Sequence, residues 1–166
     1  MTAATTDQND VVPCWLNGGE MRAWRAFVDG SQHLLEVLNR ELSDAHGLSL
    51  ADYRILVILS EAESNAVRMS DLADGIVSSR SRLTHQIRRL EAAGIVTREE
   101  CPEDRRGVLA MLTIEGRRRL EEAAPTHLAG VRKHLIDQLT PAEQRTVAEV
   151  FERTDAALTG EATASR

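Results

Sequence analysis

The sequence is poor in the residues that support several kinds of chemistry. Its two cysteines, Cys14 and Cys101, lie far apart, and neither has a second thiol at metal-ligand spacing. We therefore expect neither a disulfide framework nor a structural zinc site. No apolar run approaches the roughly 20 residues that a membrane span requires. With two tryptophans, two phenylalanines and one tyrosine, the chain also has few side chains for an aromatic pocket.

Recognisable catalytic motifs are missing as well. The chain contains no GxSxG, P-loop, HExxH, CxxC or dinucleotide-binding fingerprint. His127 and His134 are seven residues apart on one predicted helical face, but no carboxylate or thiol accompanies them at ligand spacing, so we interpret them as packing residues. The sequence therefore predicts a protein that is not an enzyme and that holds no metal and no cofactor.

Lysine is nearly absent, and charge is unevenly distributed. Lys133 is the single lysine among 20 basic residues; we attribute this mainly to a GC-rich genome, although guanidinium groups also suit phosphate and guanine. The net charge is −6, yet residues 79–119 contain ten arginines against six acidic residues, or +4, which leaves −10 for the rest. One basic face on an acidic body is typical of a nucleic-acid-binding protein. A solvated basic helix without a ligand is the alternative.

The two ends of the chain predict little structure. Residues 1–18 carry neither a basic nor an apolar signal region and are expected to form a flexible arm, and residues 159–166 have little to bury. We expect a soluble, cytoplasmic protein in which residues 19–158 form a single domain.

Apolar periodicity predicts a helical start. Apolar residues between Trp24 and Leu42 recur in steps of three and four and indicate a helix over 20–45, closed by Gly47. Ser49 and Asp52 form a variant of the capping box and begin a second helix that is expected to end near Glu63.

Two short helices follow, the first capped by Ser70 and the second by Ser78 or Ser79, with an end at Gly94. They make a helix-turn-helix pair. In the second helix Leu83, Ile87 and Leu90 must face the core. The remaining faces carry polar and basic residues, namely Ser79, Arg80, Ser81, Arg82, Thr84, His85, Arg88 and Arg89.

A hairpin and two more helices complete the prediction. Residues 95–98 and 108–112 read as two strands joined through residues 102–107, whose tip is polar. Thr113 caps a helix that extends towards Leu139 and is kinked by Pro125. Thr140, Pro141 and Glu143 begin a last helix through Leu158.

A helix with a basic face, followed by an arginine-tipped ribbon, is the arrangement with which a winged helix reads DNA. The major groove admits one α-helix, so we assign base contacts to Ser81, Arg82 and His85 and phosphate contacts to Ser79, Thr84 and Arg88. An arginine on a thin ribbon can enter the minor groove, which makes Arg105 and Arg106 candidates. We expect Asp104 to orient one of these arginines or to bond the turn.

These residues resemble the multiple antibiotic resistance regulator (MarR) family of bacterial winged-helix repressors. Asp104-Arg105-Arg106-Gly107, Leu112-Thr113 and Gly116 match the family's D-x-R…L-T-x-x-G run, and residues 90–94 match its L-E-x-x-G. Thr84-His85 departs from the Thr-Arg of many relatives, so the base preference stays open. The resemblance implies a mainly α (α+β) fold with a winged helix-turn-helix lobe over 49–113 and dimerisation helices at 19–46 and 114–158.

The resemblance also implies several roles and partners. Double-stranded DNA and a second copy of the chain would be the partners, and heptad-like apolar spacing supports a homodimer. A dimer with recognition helices one DNA turn apart predicts a pseudo-palindromic operator and steric repression. Arg106 would be the wing-tip arginine, and Asp104 would hold the wing and the recognition helix together. A small aromatic or phenolic effector would release DNA from a pocket lined by Trp24, Phe27, His33 and Tyr53.

Three alternatives stay open at this point. The four pocket residues could simply be core or interface residues. A thiol switch would use Cys101 or Cys14, but the acidic neighbours Glu99, Glu100 and Glu103 disfavour a thiolate at Cys101. A winged helix used only for protein contact is the third.

Overall fold

Helices dominate the part of the chain that the computed structural model describes, which is residues 14–76, 79–101 and 104–160, without the side chains of residues 104–106. The structure divides within its first helix into one unit that ends at His33 and a second that begins at Leu34. The elements are α1 (Gly18–His46), α2 (Leu50–Glu61), β1 (Ala66–Arg68), α3 (Met69–Gly75), α4 (Arg80–Ala92), β2 (Val96–Cys101), β3 (Asp104–Leu112), α5 (Ile114–His134), a 3-10 turn (Ile136–Gln138) and α6 (Pro141–Thr159).

The predicted helix starts of α2 and α6 are confirmed in detail. Ser49 accepts a hydrogen bond from the backbone N–H of Asp52, while the Asp52 carboxylate accepts one from the backbone of Ser49. Thr140 and Glu143 make the same reciprocal pair, with Pro141 in the first helical position. These contacts satisfy backbone donors that a helix start leaves unpaired. Gly47, at φ 65°, follows α1 in the left-handed conformation that favours glycine.

The prediction that Ser70 caps the third helix is wrong. α3 begins one residue earlier, at Met69, with Arg68 in the cap position and no capping hydrogen bond from its side chain. The Ser70 hydroxyl instead donates to the neighbouring Asp71 carboxylate at 2.8 Å. The serine lies inside the first turn because the chain enters α3 directly from a strand, a constraint that local propensity does not express.

That strand makes the sheet three-stranded, whereas the sequence predicted a two-stranded hairpin. β1 pairs antiparallel with β3, which also pairs with β2, in the order β1-β3-β2. The register places Val67 opposite Ala110 on one side of β3 and Arg98 opposite Ala110 on the other. A strand of three residues has too little periodicity to detect, and its pairing partner lies more than 40 residues away.

The core of the second unit lies among α2, α3, α4 and the sheet. Leu56, Leu72, Leu83, Ile87 and Val96 are fully buried there. The inward face predicted for α4 is therefore confirmed, and it leaves the opposite face outside.

The C-terminal helices differ in their burial. α5 is capped by Thr113 as predicted, but it ends at His134 and does not reach Leu139. Pro125 lies within it, and the kink stays a prediction. α6 buries none of its residues in the single chain. Within the described residues, no helix combines the length and apolar character needed to cross a membrane.

Candidate nucleic-acid interface

Helix α4 presents the polar face that the sequence predicted. Ser79 is the N-cap and accepts a hydrogen bond from the backbone N–H of Arg82 at 3.3 Å, while Ser78 lies outside the described residues. Leu83, Ile87 and Leu90 are buried, which fixes the rotation of the helix. The exposed polar and basic residues on the outer face are Ser79, Arg80, Ser81, Arg82, His85, Arg88 and Arg89.

Thr84 is half-buried and turned back towards its own helix. Its hydroxyl donates to the backbone carbonyl of Arg80 at 2.7 Å, so its proton is already used. The hydroxyl oxygen can still accept. To donate to a phosphate, Thr84 would first have to release that carbonyl.

Arg89, which the sequence placed on the same polar face, also contacts the body of the protein, and its role in DNA binding stays a prediction. Its Nη2 atom lies 2.5 Å from both carboxylate oxygens of Asp52. Asp52 is completely buried, although the Arg89 side chain is 58% exposed. The carboxylate also accepts hydrogen bonds from the N–H and the hydroxyl of Ser49. Arg89 therefore ties α4 to the start of α2.

The two strands of the wing are longer than predicted. β2 continues to Cys101 and β3 begins at Asp104, with an irregular register between Glu100 and Cys101. Residues 104–107, expected in the loop, belong to β3. The strand was predicted from the aliphatic residues at 108–112, but its pairing with β2 continues to Asp104. The side chains of Asp104, Arg105 and Arg106 lie outside the described ones, so their roles stay predictions.

A cleft of about 250 Å³ lies where the start of α4 meets the wing. Two arginines line it, Arg80 from α4 and Arg68 from the junction between β1 and α3. Sequence reasoning missed Arg68 as a neighbour of α4, because β1 was not predicted. The other lining residues are Met69, Ser70, Leu83, Thr84, Gly107 and Val108.

The base of the wing is clamped to the start of α5. The Thr113 hydroxyl lies 2.7 Å from the carbonyl oxygen of Gly94 and 3.0 Å from that of Ile95, and it accepts the Gly116 N–H at 2.9 Å. Any Cβ atom at Gly116 would collide with the Ile95 carbonyl oxygen. The spacing of Thr113 and Gly116 in the sequence therefore has a steric and hydrogen-bonding cause.

Comparison with known proteins decides the family. A model of the MarR family matches residues 48–108. The crystal structure of AbsC, a MarR family transcriptional regulator from Streptomyces coelicolor, is 40% identical, with a TM-score of 0.84, over 89% of this chain and 99% of that one. The chain belongs to the MarR family. It is a MarR-type transcriptional regulator, and the predicted winged helix-turn-helix fold is confirmed.

Two further relatives extend this likeness. Sco3205, a MarR family regulator of the same organism whose crystal structure is a complex with DNA, is 38% identical, with a TM-score of 0.85, over 88% of this chain and 92% of that one. YetL, an HTH-type transcriptional repressor of Bacillus subtilis, is 25% identical over 83% of this chain and 84% of its own. All three relatives are named as transcriptional regulators or repressors.

In this MarR-type regulator the predicted effector residues fall into different units. Trp24 and Phe27 have ring centroids 6.0 Å apart in the first unit, and they are 54% and 44% exposed. His33, the last residue of that unit, is also exposed. Tyr53 lies in the second unit and is buried, with its ring centroid 4.5 Å from that of His127. His127, which sequence reasoning had interpreted as a packing residue, is thus the aromatic partner of Tyr53.

An open cleft of about 390 Å³ adjoins Tyr53 and His127. The Nδ1 atom of His127 is buried and has no hydrogen-bond partner within the described part of the chain. Burial lowers the pKa of His127 and raises the pKa of Tyr53, which favours neutral rings at neutral pH. The lining residues are Tyr53, Arg54, Val57, Ile58, Gly75 and His127.

The structure also describes His134 and the two cysteines. His134 lies 2.8 Å from a Glu41 carboxylate oxygen, and this hydrogen bond lowers the pKa of Glu41. Among the described residues, no three histidines, cysteines or carboxylates are grouped as metal ligands would be. Cys101 is buried and Cys14 is exposed.

Proposed function

We propose that this MarR-type regulator is a homodimeric repressor that binds a pseudo-palindromic DNA operator. The observation that carries the proposal is the division of α4 into two faces. Leu83, Ile87 and Leu90 are buried, so the arginines, hydroxyls and imidazole on the other face are available to a ligand. An α-helix of this kind fits the major groove, where side chains can contact base edges.

We assign the DNA contacts of α4 from the exposure of its side chains. Ser81, Arg82 and His85 are exposed and read bases. Arg80 and Arg88 hold phosphates, together with the hydroxyl of Ser79 and with that of Thr84 once it has released the Arg80 carbonyl. Arg89 contributes indirectly, by fixing the position of α4, because Asp52 holds its guanidinium group. Arg105 or Arg106 enters the minor groove from the wing, with Arg106 as the main anchor and Asp104 as its support.

The homodimer rests on apolar surface that the single chain leaves exposed. On α6, Val147, Val150 and Leu158 are 36%, 39% and 81% exposed. In the first unit Trp15 and Trp24 are 83% and 54% exposed. Surfaces of this kind are typical of helices that pack against a partner, and we propose a second copy as that partner.

The operator follows from the symmetry of a dimer. Two recognition helices one helical turn apart, about 34 Å, read two half-sites in a site of about 16 to 20 base pairs. Covering a promoter with such a dimer represses transcription sterically. The DNA complex of Sco3205 and the repressor YetL support this choice over a winged helix that binds only protein.

The cleft beside Tyr53 and His127 is the proposed effector site. Its two rings offer an apolar surface, the buried His127 Nδ1 atom offers one unsatisfied polar group, and Arg54 offers a positive charge at the rim. This chemistry suits a small aromatic or phenolic acid that releases DNA. A thiol switch has less support, since Cys101 is 5% exposed.

The experiment is selection of bound sequences from random duplex DNA with the full chain. We expect an enriched pseudo-palindrome with two half-sites about one turn apart. The variant His85→Ala should relax the preference at one position of each half-site, whereas Arg153→Ala on α6 should leave the motif unchanged. Failure to enrich any sequence would favour the protein-contact alternative.

A further inference from the structure

An ion pair joins the end of α4 to the wing. The Nε and Nη2 atoms of Arg98, on β2, lie 3.0 and 2.6 Å from the same carboxylate oxygen of Glu91, on α4. The two side chains are 31% and 34% exposed. The pair spans the turn between helix and strand, so each partner belongs to a different DNA-facing element.

The position of Glu91 is unfavourable in two respects. It lies in the last turn of α4, where the helix dipole disfavours a negative charge. A carboxylate beside a DNA-facing helix also repels phosphates. The contact with Arg98 offsets both the helix-dipole effect and the repulsion of phosphates. Because Arg98 belongs to β2, the same contact links the Glu91 carboxylate to the wing.

The turn between Glu91 and Arg98 joins α4 to the wing, and the Thr113 hydroxyl holds it at the carbonyls of Gly94 and Ile95. Gly94 has φ 71°, and short backbone hydrogen bonds from Gly94 to Glu91 and from Ile95 to Leu90 hold the turn itself. β2 then runs outward to Cys101 with β3 as its partner. A small rotation about the turn would move the tip of the ribbon through a much larger distance than its base.

We propose that the Glu91–Arg98 ion pair fixes the angle of the wing relative to α4, so that major-groove and minor-groove contacts form together. Both are positioning residues that act through the wing arginines without touching DNA. This inference rests on the proposed function. The pair is partly buried but is not part of the hydrophobic core cluster, so we expect its removal to change the orientation of the wing more than the folding of the chain.

The test is a double-mutant cycle with operator DNA, measured by fluorescence anisotropy. Glu91→Gln should weaken binding about fivefold to tenfold in the otherwise unchanged protein. In an Arg106→Ala background the same change should cost less than about twofold, since the wing anchor is already lost. Equal losses in both backgrounds would overturn the proposal.

The direction in which Glu91→Gln changes the affinity for DNA distinguishes a positioning role from a simple effect of charge. Removing a carboxylate near DNA should strengthen binding if charge alone matters, so a tighter Glu91→Gln variant would contradict the proposal. Glu99→Gln, on the exposed face of the same strand, is the matched control and should bind as well as or better than the unchanged protein. The charge-exchanged double variant Glu91→Arg with Arg98→Glu should recover most of the affinity.

A direct phosphate contact by Arg98 is tested by salt. Arg98→Gln should leave the slope of log K against log salt unchanged, whereas loss of a phosphate contact would reduce it by about one. A reduced slope would overturn the positioning role. If the unchanged protein binds no operator at all, the proposed function fails.

Discussion

Arg89 and Asp52 form an ion pair that ties α4 to the start of α2. One guanidinium nitrogen of Arg89 lies 2.5 Å from both oxygens of a carboxylate that is fully buried. The same carboxylate completes the capping box of α2 with Ser49. One side chain thus satisfies a helix start and sets the position of α4.

Asp52→Ala should lower the free energy of unfolding by about 2 kcal/mol, because it removes half of the capping box of α2 and the ion pair with the half-exposed Arg89. Urea unfolding followed by circular dichroism measures this. Asp74→Ala, at an exposed position of α3, is the control and should change stability by less than about 0.5 kcal/mol. Equal effects of the two variants would show that the pair contributes nothing.

Gly116→Ala should destabilise the chain by about 2 kcal/mol or more, since the new methyl group meets the Ile95 carbonyl and lies 2.7 Å from Leu112. Gly75→Ala places its methyl group at an ordinary 3.5 Å from Ile58 and should be tolerated. Thermal unfolding of both variants compares them. A Gly116→Ala protein as stable as the Gly75→Ala protein would refute the close approach.

His127 should make stability depend on pH. Burial lowers its pKa in the folded state, so the unfolded chain, whose imidazole titrates near pH 6.5, binds the proton more readily. The stability contributed by the neutral ring is complete above that pH and is lost as the pH falls below it, until the folded-state pKa is passed. His127→Phe, which retains a ring against Tyr53, should lose less stability between pH 7.5 and 5.5, about one unit either side of that value. An identical loss in both proteins would exclude His127 as the cause.

Val150→Glu should weaken the dimer, because it puts a charge into an apolar surface that we assign to the partner. Analytical ultracentrifugation at several concentrations measures the dissociation constant. The neighbouring change Glu149→Gln should leave the dimer intact. A Val150→Glu protein that remains as dimeric as the Glu149→Gln protein would place the interface elsewhere.

The features that sequence predicted well are those set by local chemistry. The capping boxes at Ser49 and Thr140 and the inward face of α4 depend on residues within one or two helical turns. The structure confirmed each of them. The resemblance carried by the residues from Leu90 to Gly116 likewise led to the correct family.

The features that sequence missed depend on partners distant in the chain. β1 exists because Ala66–Arg68 pairs with β3, and the ion pair of Arg89 is made with a carboxylate 37 residues away. The pairing of Tyr53 with His127 is similar, as the two lie on α2 and α5. Spacing along one element gives no information about such contacts.

The salt dependence of operator affinity tests the central claim most directly. Fluorescence anisotropy with the selected operator should show log K falling linearly with log salt, with a slope of about −5 for a dimer that neutralises about six phosphates through α4 and the wing. Affinity should also exceed that for scrambled DNA of equal length by about a thousandfold or more. Binding that is independent of salt, or equal for both DNA molecules, would contradict a sequence-specific regulator that reads DNA through α4.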